Sequence, residues 1–247
     1  MNTNTNTVVP GQSSSAGAIA TRNVLLLLFA FIAGWVDALG YLGLGQVFTS
    51  FMSGNVVFLG LALAQGDLGL LERSVTALVT FLVGAALGAW IAGREPFHAA
   101  WADSGTRALA LEWIVLLLLA IGWLLIGIPS RIGSGQLLLI GLAAFAMGIQ
   151  GAVVQTLNIP GIAAVALTGT LLALGKRLVY HAQPAASTKA VGIGLLIGLC
   201  LTYAISAIVV ALMQPWLPFA SIVPVVGLTI GIFIATRRFP KDLLALT

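Results

Sequence analysis

The chain of 247 residues is 60% apolar and 7% charged, against about 25% charged residues in a soluble domain, so it reads as an integral membrane protein. Its formal charge of +4 does not point to nucleic acid, because the Lys and Arg residues flank apolar runs, where membrane proteins collect them. One cysteine, Cys200, excludes an intrachain disulfide. His98 and His181 stand far apart in polar connections without partners at ligand spacing, so no metal or cofactor is expected.

Residues 1–21 are rich in Asn, Thr, Ser and Gly with little hydrophobicity, which predicts a disordered cytoplasmic tail. Eight apolar segments follow, at 24–44, 48–65, 75–93, 108–128, 136–157, 160–174, 190–213 and 217–236. The fold class is all-α, a polytopic transmembrane helical bundle of about eight membrane helices. The longer segments cover a hydrocarbon core of roughly 30 Å at about 1.5 Å per residue. The second and sixth are the shortest and most polar, and are either full spans or re-entrant helices that turn back inside the protein.

Charge fixes orientation without deciding that choice. With eight spans, only Arg94 and Arg107 among the eleven Lys and Arg fall outside. With six, only Arg73 and Arg131 do. Both counts put both termini in the cytoplasm. Trp90, Trp113 and Trp216 near segment ends, and the short linkers at 45–47 and 158–161, favour tight helical hairpins and hence eight segments.

The chain repeats itself. Gly34 with Gly148 and Gly84 with Gly198 share one offset, and Gly54 with Gly169 exceeds it by one residue. The block from Phe31 to Ala38 aligns with Phe145 to Ala152, placing Gly151 opposite Asp37, and Ser53-Gly54-Asn55 aligns with Thr168-Gly169-Thr170. Two repeat halves are expected, at 22–130 and 131–240, followed by a cytoplasmic tail at 241–247. Such duplication is common in secondary transporters. Eight spans imply parallel halves, and six imply inverted ones.

Asp37 is the only acidic side chain set deep in an apolar segment. An ionisable group at that depth costs several kcal/mol, roughly, and faces a bundle interior or a water cavity. Taking Gln46 as the top of a hairpin, Asp37 and Asn55 each lie nine residues away, about 13 Å deep if both arms are helical. Ser53 lies beside Asn55, and Gln150, Thr168 and Thr170 form the corresponding polar set in the second half. As structural glue, Ser, Thr, Asn and Gln contribute about 0.6 kcal/mol each. Asp37 fits that role poorly and fits a coupling or binding group better.

Gly84 with Gly88 and Gly194 with Gly198 have the small-residue spacing of close helix contacts, as do Gly227 with Gly231. Gly34, Gly54, Gly148 and Gly169 join them as expected packing positions. Pro218 and Pro224 are expected to kink the last helix, and Glu112 to snorkel to the interface. An enzyme is not expected. Asp37 lacks the second deep carboxylate of an aspartyl protease, Ser53 lacks an intramembrane base, and there is no Walker loop.

The Gly34-Trp35-Val36-Asp37 block, the Phe48 to Asn55 block ending in Ser-Gly-Asn, and the second-half runs Met147 to Gln150 and Leu167 to Thr170 resemble the YoaK family. These are bacterial inner-membrane proteins grouped as a domain of unknown function. The resemblance covers roughly residues 24–240 and implies the fold and the bacterial inner membrane rather than an activity. Ser53 stands where the family prefers Thr, which keeps the hydroxyl.

The expected function is a secondary transporter or permease for a small solute. Asp37 is its ionisable group, flanked by Asn55 and Ser53 and faced by Gln150, Thr168 and Thr170. The alternative is a non-transporting membrane module that binds a lipid or partner protein. Expected partners are the lipid bilayer and an unidentified small solute, without nucleic acid; assembly as a homo-oligomer is left open.

Overall fold

The computed structural model describes residues 10–93, 103–127, 133–157, 159, 167–179 and 192–238. Among these, every regular element is helical: α1 Pro10–Gly43, α2 Met52–Gln65, α3 Leu68–Ala92, α4 Asp103–Ile126, α5 Ser134–Thr156, α6 Leu167–Val179, α7 Ile193–Leu212, α8 Leu217–Ala220 and α9 Ile222–Arg238. Five of them, α1, α3, α4, α5 and α7, are long and apolar enough to cross a bilayer. A sixth crossing is available if α8 and α9, bent by 42° at Ser221, count as one broken span.

The second and sixth segments give α2 with 14 residues and α6 with 13. At about 1.5 Å per residue each covers about 20 Å, short of the roughly 30 Å core. Among the described residues, length therefore favours six crossings and two short helices over the eight full spans that the linkers suggested. One boundary also moves. Helix α1 starts at Pro10, inside the tail predicted over 1–21, because adding turns to a nucleated helix is far cheaper than starting one. The described part of the sixth segment is α6 from Leu167, and residues 160–166 lie outside the described residues. Residues 1–9, the tail at 241–247, His98 and His181 lie outside the described residues.

Helices α1 and α5 occupy the centre, each with 67% of its apolar span buried, against 22% for α3 and α7. Helix α3 packs on α5 and α7 on α1, α2 lies against α3 and α6 against α7, and α4 touches α5 while α9 touches α1. Leu82, Val83 and Leu212 on the outer helices are exposed, as lipid-facing apolar side chains must be.

Missing side chains set the closest crossings. A Cβ on Gly84 would strike the Phe145 carbonyl, and one on Gly148 the Phe81 carbonyl, so α3 and α5 meet backbone to backbone. Gly88 sits against Ile149 in the same seam, and Gly34 meets Tyr203 and Ser206 of α7. Gly54 sits between the rings of Phe48 and Phe51, while Gly198 and Gly231 meet only Leu side chains of α1. The packing role expected of Gly194 is not realised, since nothing lies within 4 Å of its Cβ position. It falls in the first turn of α7, before the helices converge. Gly169 lies in the first turn of α6.

The last span breaks between Ala220 and Ile222, with Pro218 inside α8 and Pro224 in the first turn of α9. The indole of Trp35 donates to the Ala220 carbonyl at 2.9 Å and Ser221 Oγ to that of Pro218 at 2.6 Å, so these carbonyls are satisfied.

Candidate functional site

Helix α1 ends in a turn with positive φ at Gly45 (88°) and Gln46 (61°), the left-handed region that glycine enters freely. The chain then runs back along α1 without helical structure. A Cβ on Gly40 would meet the Val47 carbonyl carbon and oxygen and the Thr49 methyl, and Asp37 lies one turn further along the helix. Its carboxylate receives this returning strand. Oδ1 accepts from the Thr49 amide at 2.6 Å, the Thr49 hydroxyl at 2.9 Å and the Ser50 amide at 2.6 Å. Oδ2 accepts from the Ser50 hydroxyl at 2.5 Å and from the phenol of Tyr203 on α7. Asp37 is 3% exposed. Five donors more than fill the roughly four lone-pair sites of one carboxylate, and charge-assisted bonds of this kind are about twice as strong as neutral ones.

Asn55 does not reach Asp37. Its Nδ2 donates to the Phe48 carbonyl at 2.6 Å and its Oδ1 accepts from the Phe48 amide at 3.0 Å, so it pins the loop to the first turn of α2. Phe48 stacks between Tyr41, at 5.5 Å, and Phe58, at 5.8 Å. The hairpin estimate failed because the returning arm is not helical. A non-helical chain advances more per residue than the roughly 1.5 Å of a helix, so Thr49 and Ser50 rather than Asn55 come level with Asp37.

Beside this knot lies a cavity of about 640 Å³ between α3, α5 and the first turns of α2 and α6. Ser50, Ser53, Gln155, Thr156 and Thr168 supply its polar lining. Phe51, Met52 and Phe81 form an apolar wall, and Ala85, Gly148 and Gly151 a flat one. Two of the expected site residues, Ser53 and Thr168, thus share the cavity. Gln150 does not line it: its amide nitrogen ties α5 to the Phe29 carbonyl of α1 at 2.9 Å, and its buried oxygen has no partner among the described residues. The hydroxyl of Thr170 is likewise buried without a partner among the described residues.

Glu112 does not snorkel. It is fully buried, and neither carboxylate oxygen has a partner among the described residues. Among the described residues no cluster of His, Cys, Asp and Glu is fit to hold a metal. Sequence reasoning passed over Tyr203, Thr49 and Ser50. The usable signal was a lone tyrosine within an apolar span, since a buried phenol hydroxyl needs a partner.

The sequence over residues 25–235 matches the family described as protein of unknown function DUF1275. The chain belongs to that family. It is also similar to the UPF0700 transmembrane protein YoaK of Bacillus subtilis (strain 168), with 35% identity over 217 residues, 83% of this chain and 92% of that protein. Family membership and the apolar helices together make it a transmembrane protein. No solved structure matches it.

Proposed function

We propose that this DUF1275 protein is a secondary transporter or permease for a small solute, and that the cavity between the first turns of α2 and α6 is its solute site. One observation carries the reading: α2 and α6, each shorter than a membrane span over the described residues, begin at the same cavity, one from each expected half of the chain. Broken helices of this sort are tolerated at membrane depth where they line a cavity, and transporters build binding sites from them.

An inverted duplication is supported by the pairing of helices. The first helix of each half packs on the third of the other, α1 on α7 and α5 on α3, and each short helix lies on the third helix of its own half. The matching contacts are Gly34 with the Tyr203 carbonyl and Gly148 with the Phe81 carbonyl. They pair Phe81 with Tyr203, about two turns along from the Gly84–Gly198 correspondence. Where the α1–α7 pair is tied by Asp37 and Tyr203, the α5–α3 pair has Gly151 and Phe81, and both line the cavity. In this reading Asp37 is a positioning residue that holds the loop carrying Ser50 and Ser53. The six-span count puts Arg73 outside and Lys176 and Arg177 inside a bacterial inner membrane, with both termini cytoplasmic.

The rival, a non-transporting module that binds a lipid or partner protein, is favoured by one observation, the enclosure of Asp37 away from the cavity. Stopped-flow uptake into proteoliposomes, across a panel of small neutral, anionic and cationic solutes, separates the two. The transporter reading expects at least one solute to enter faster than into protein-free vesicles. Ala89 of α3 also lines the cavity, and Ala89→Trp, which places an indole in it, is expected to abolish that uptake. Uptake at the protein-free rate for every solute would favour the module.

A further inference from the structure

We infer, building on the solute site above, that the cavity takes an uncharged solute with a flat apolar body and one hydrogen-bonding amide or hydroxyl group. Among the described residues no Asp, Glu, Lys or Arg side chain lines it. A charged solute would therefore leave water without a counterion, at a cost that only pairing offsets. The nearest carboxylate, Asp37, gives no help to a cation. It lies behind Ser50, and its oxygens are already taken by Thr49, Ser50 and Tyr203. The same negative charge disfavours an anion.

The walls specify the rest. Phe51 and Phe81 line the cavity with aromatic rings, on which a planar body can stack, and the Met52 thioether adds a polarisable contact. Along the α3–α5 seam, Ala85, Gly148 and Gly151 add almost no side-chain relief. Ser53, Gln155 and Thr168 have exposed side chains that make no hydrogen bond among the described residues, so they are free to donate to and accept from one polar group. The volume falls within the range of about 300–1,000 Å³ of small-molecule sites.

The test uses three isosteres on the full-length protein in detergent: benzamide, benzoate and benzylammonium, titrated against the thermal midpoint. Benzamide is expected to raise the midpoint saturably and to bind at least about ten-fold more tightly than either ion, a difference of about 1.4 kcal/mol. Ser53→Ala is expected to weaken benzamide several-fold while keeping that preference, and Ala89→Trp to abolish the shift. A charged isostere that binds as tightly as benzamide, or a complete absence of benzamide binding, would overturn the solute class. If solute uptake persists in the vesicles, only the class fails; if uptake is absent as well, the site itself fails.

Discussion

Tyr203 of α7 donates its phenolic hydroxyl to Oδ2 of Asp37 on α1, joining residues 166 positions apart. Oδ1 of the same carboxylate holds two backbone amides of the returning loop, so one side chain fixes both the α1–α7 pair and the entry to α2. Tyr203→Phe keeps the ring and removes one donor to a charged group. A loss of about 1.5–3 kcal/mol in stability is expected, read as a lower midpoint in thermal unfolding of the purified protein.

Asp37→Asn and Asp37→Leu should separate sharply. In the amide, the oxygen can keep facing the Thr49 and Ser50 amides while the NH₂ donates to the Ser50 and Tyr203 hydroxyls, which rotate to accept. It is expected to fold, with a loss of about 1–3 kcal/mol. Leucine leaves five donors without an acceptor, each costing about 1–3 kcal/mol, and should not yield a monodisperse protein on size exclusion. In the Asp37→Asn background, Tyr203→Phe should cost less than in the native protein.

Glycine substitutions map the seams. Gly84→Leu and Gly148→Leu should destroy the α3–α5 contact and the folded protein with it, because each Cβ would meet backbone. Gly60, inside α2, has nothing within 4 Å. Gly60→Ala is expected to stabilise by about 0.5–1 kcal/mol, the helix-interior difference between the two residues. Thermal midpoints of the three variants, compared with the native protein, check the pattern.

Glu112 is buried with neither oxygen paired among the described residues. Glu112→Met keeps the volume and removes the unpaired polar group, so the midpoint should rise, by about 1–3 kcal/mol in stability. A fall would mean that the carboxyl makes a contribution this account lacks.

Much of this was legible in the sequence because membrane constraints are strong. Apolar runs gave the helices, glycine spacing found the α3–α5 seam, and one deep acid marked the polar knot. The carboxylate's partners were harder to find. The depth estimate assumed helix on both sides of Gln46, whereas residues 47–51 are not helical, which exchanged Asn55 for Thr49 and Ser50. Tyr203 was beyond local pattern altogether, since it arrives from the other end of the chain. The cavity depends on small and apolar lining residues such as Gly151 and Ala85, and periodicity does not register the space that a small side chain leaves.

The solute-site account is tested most directly by water at Ser53. In a Cys200→Ala background, Ser53→Cys is exposed to a membrane-impermeant maleimide in right-side-out and inverted vesicles. The account predicts modification from at least one face, blocked by Ala89→Trp. A thiol inert from both faces in intact membranes, yet reactive once the protein is unfolded, would contradict it.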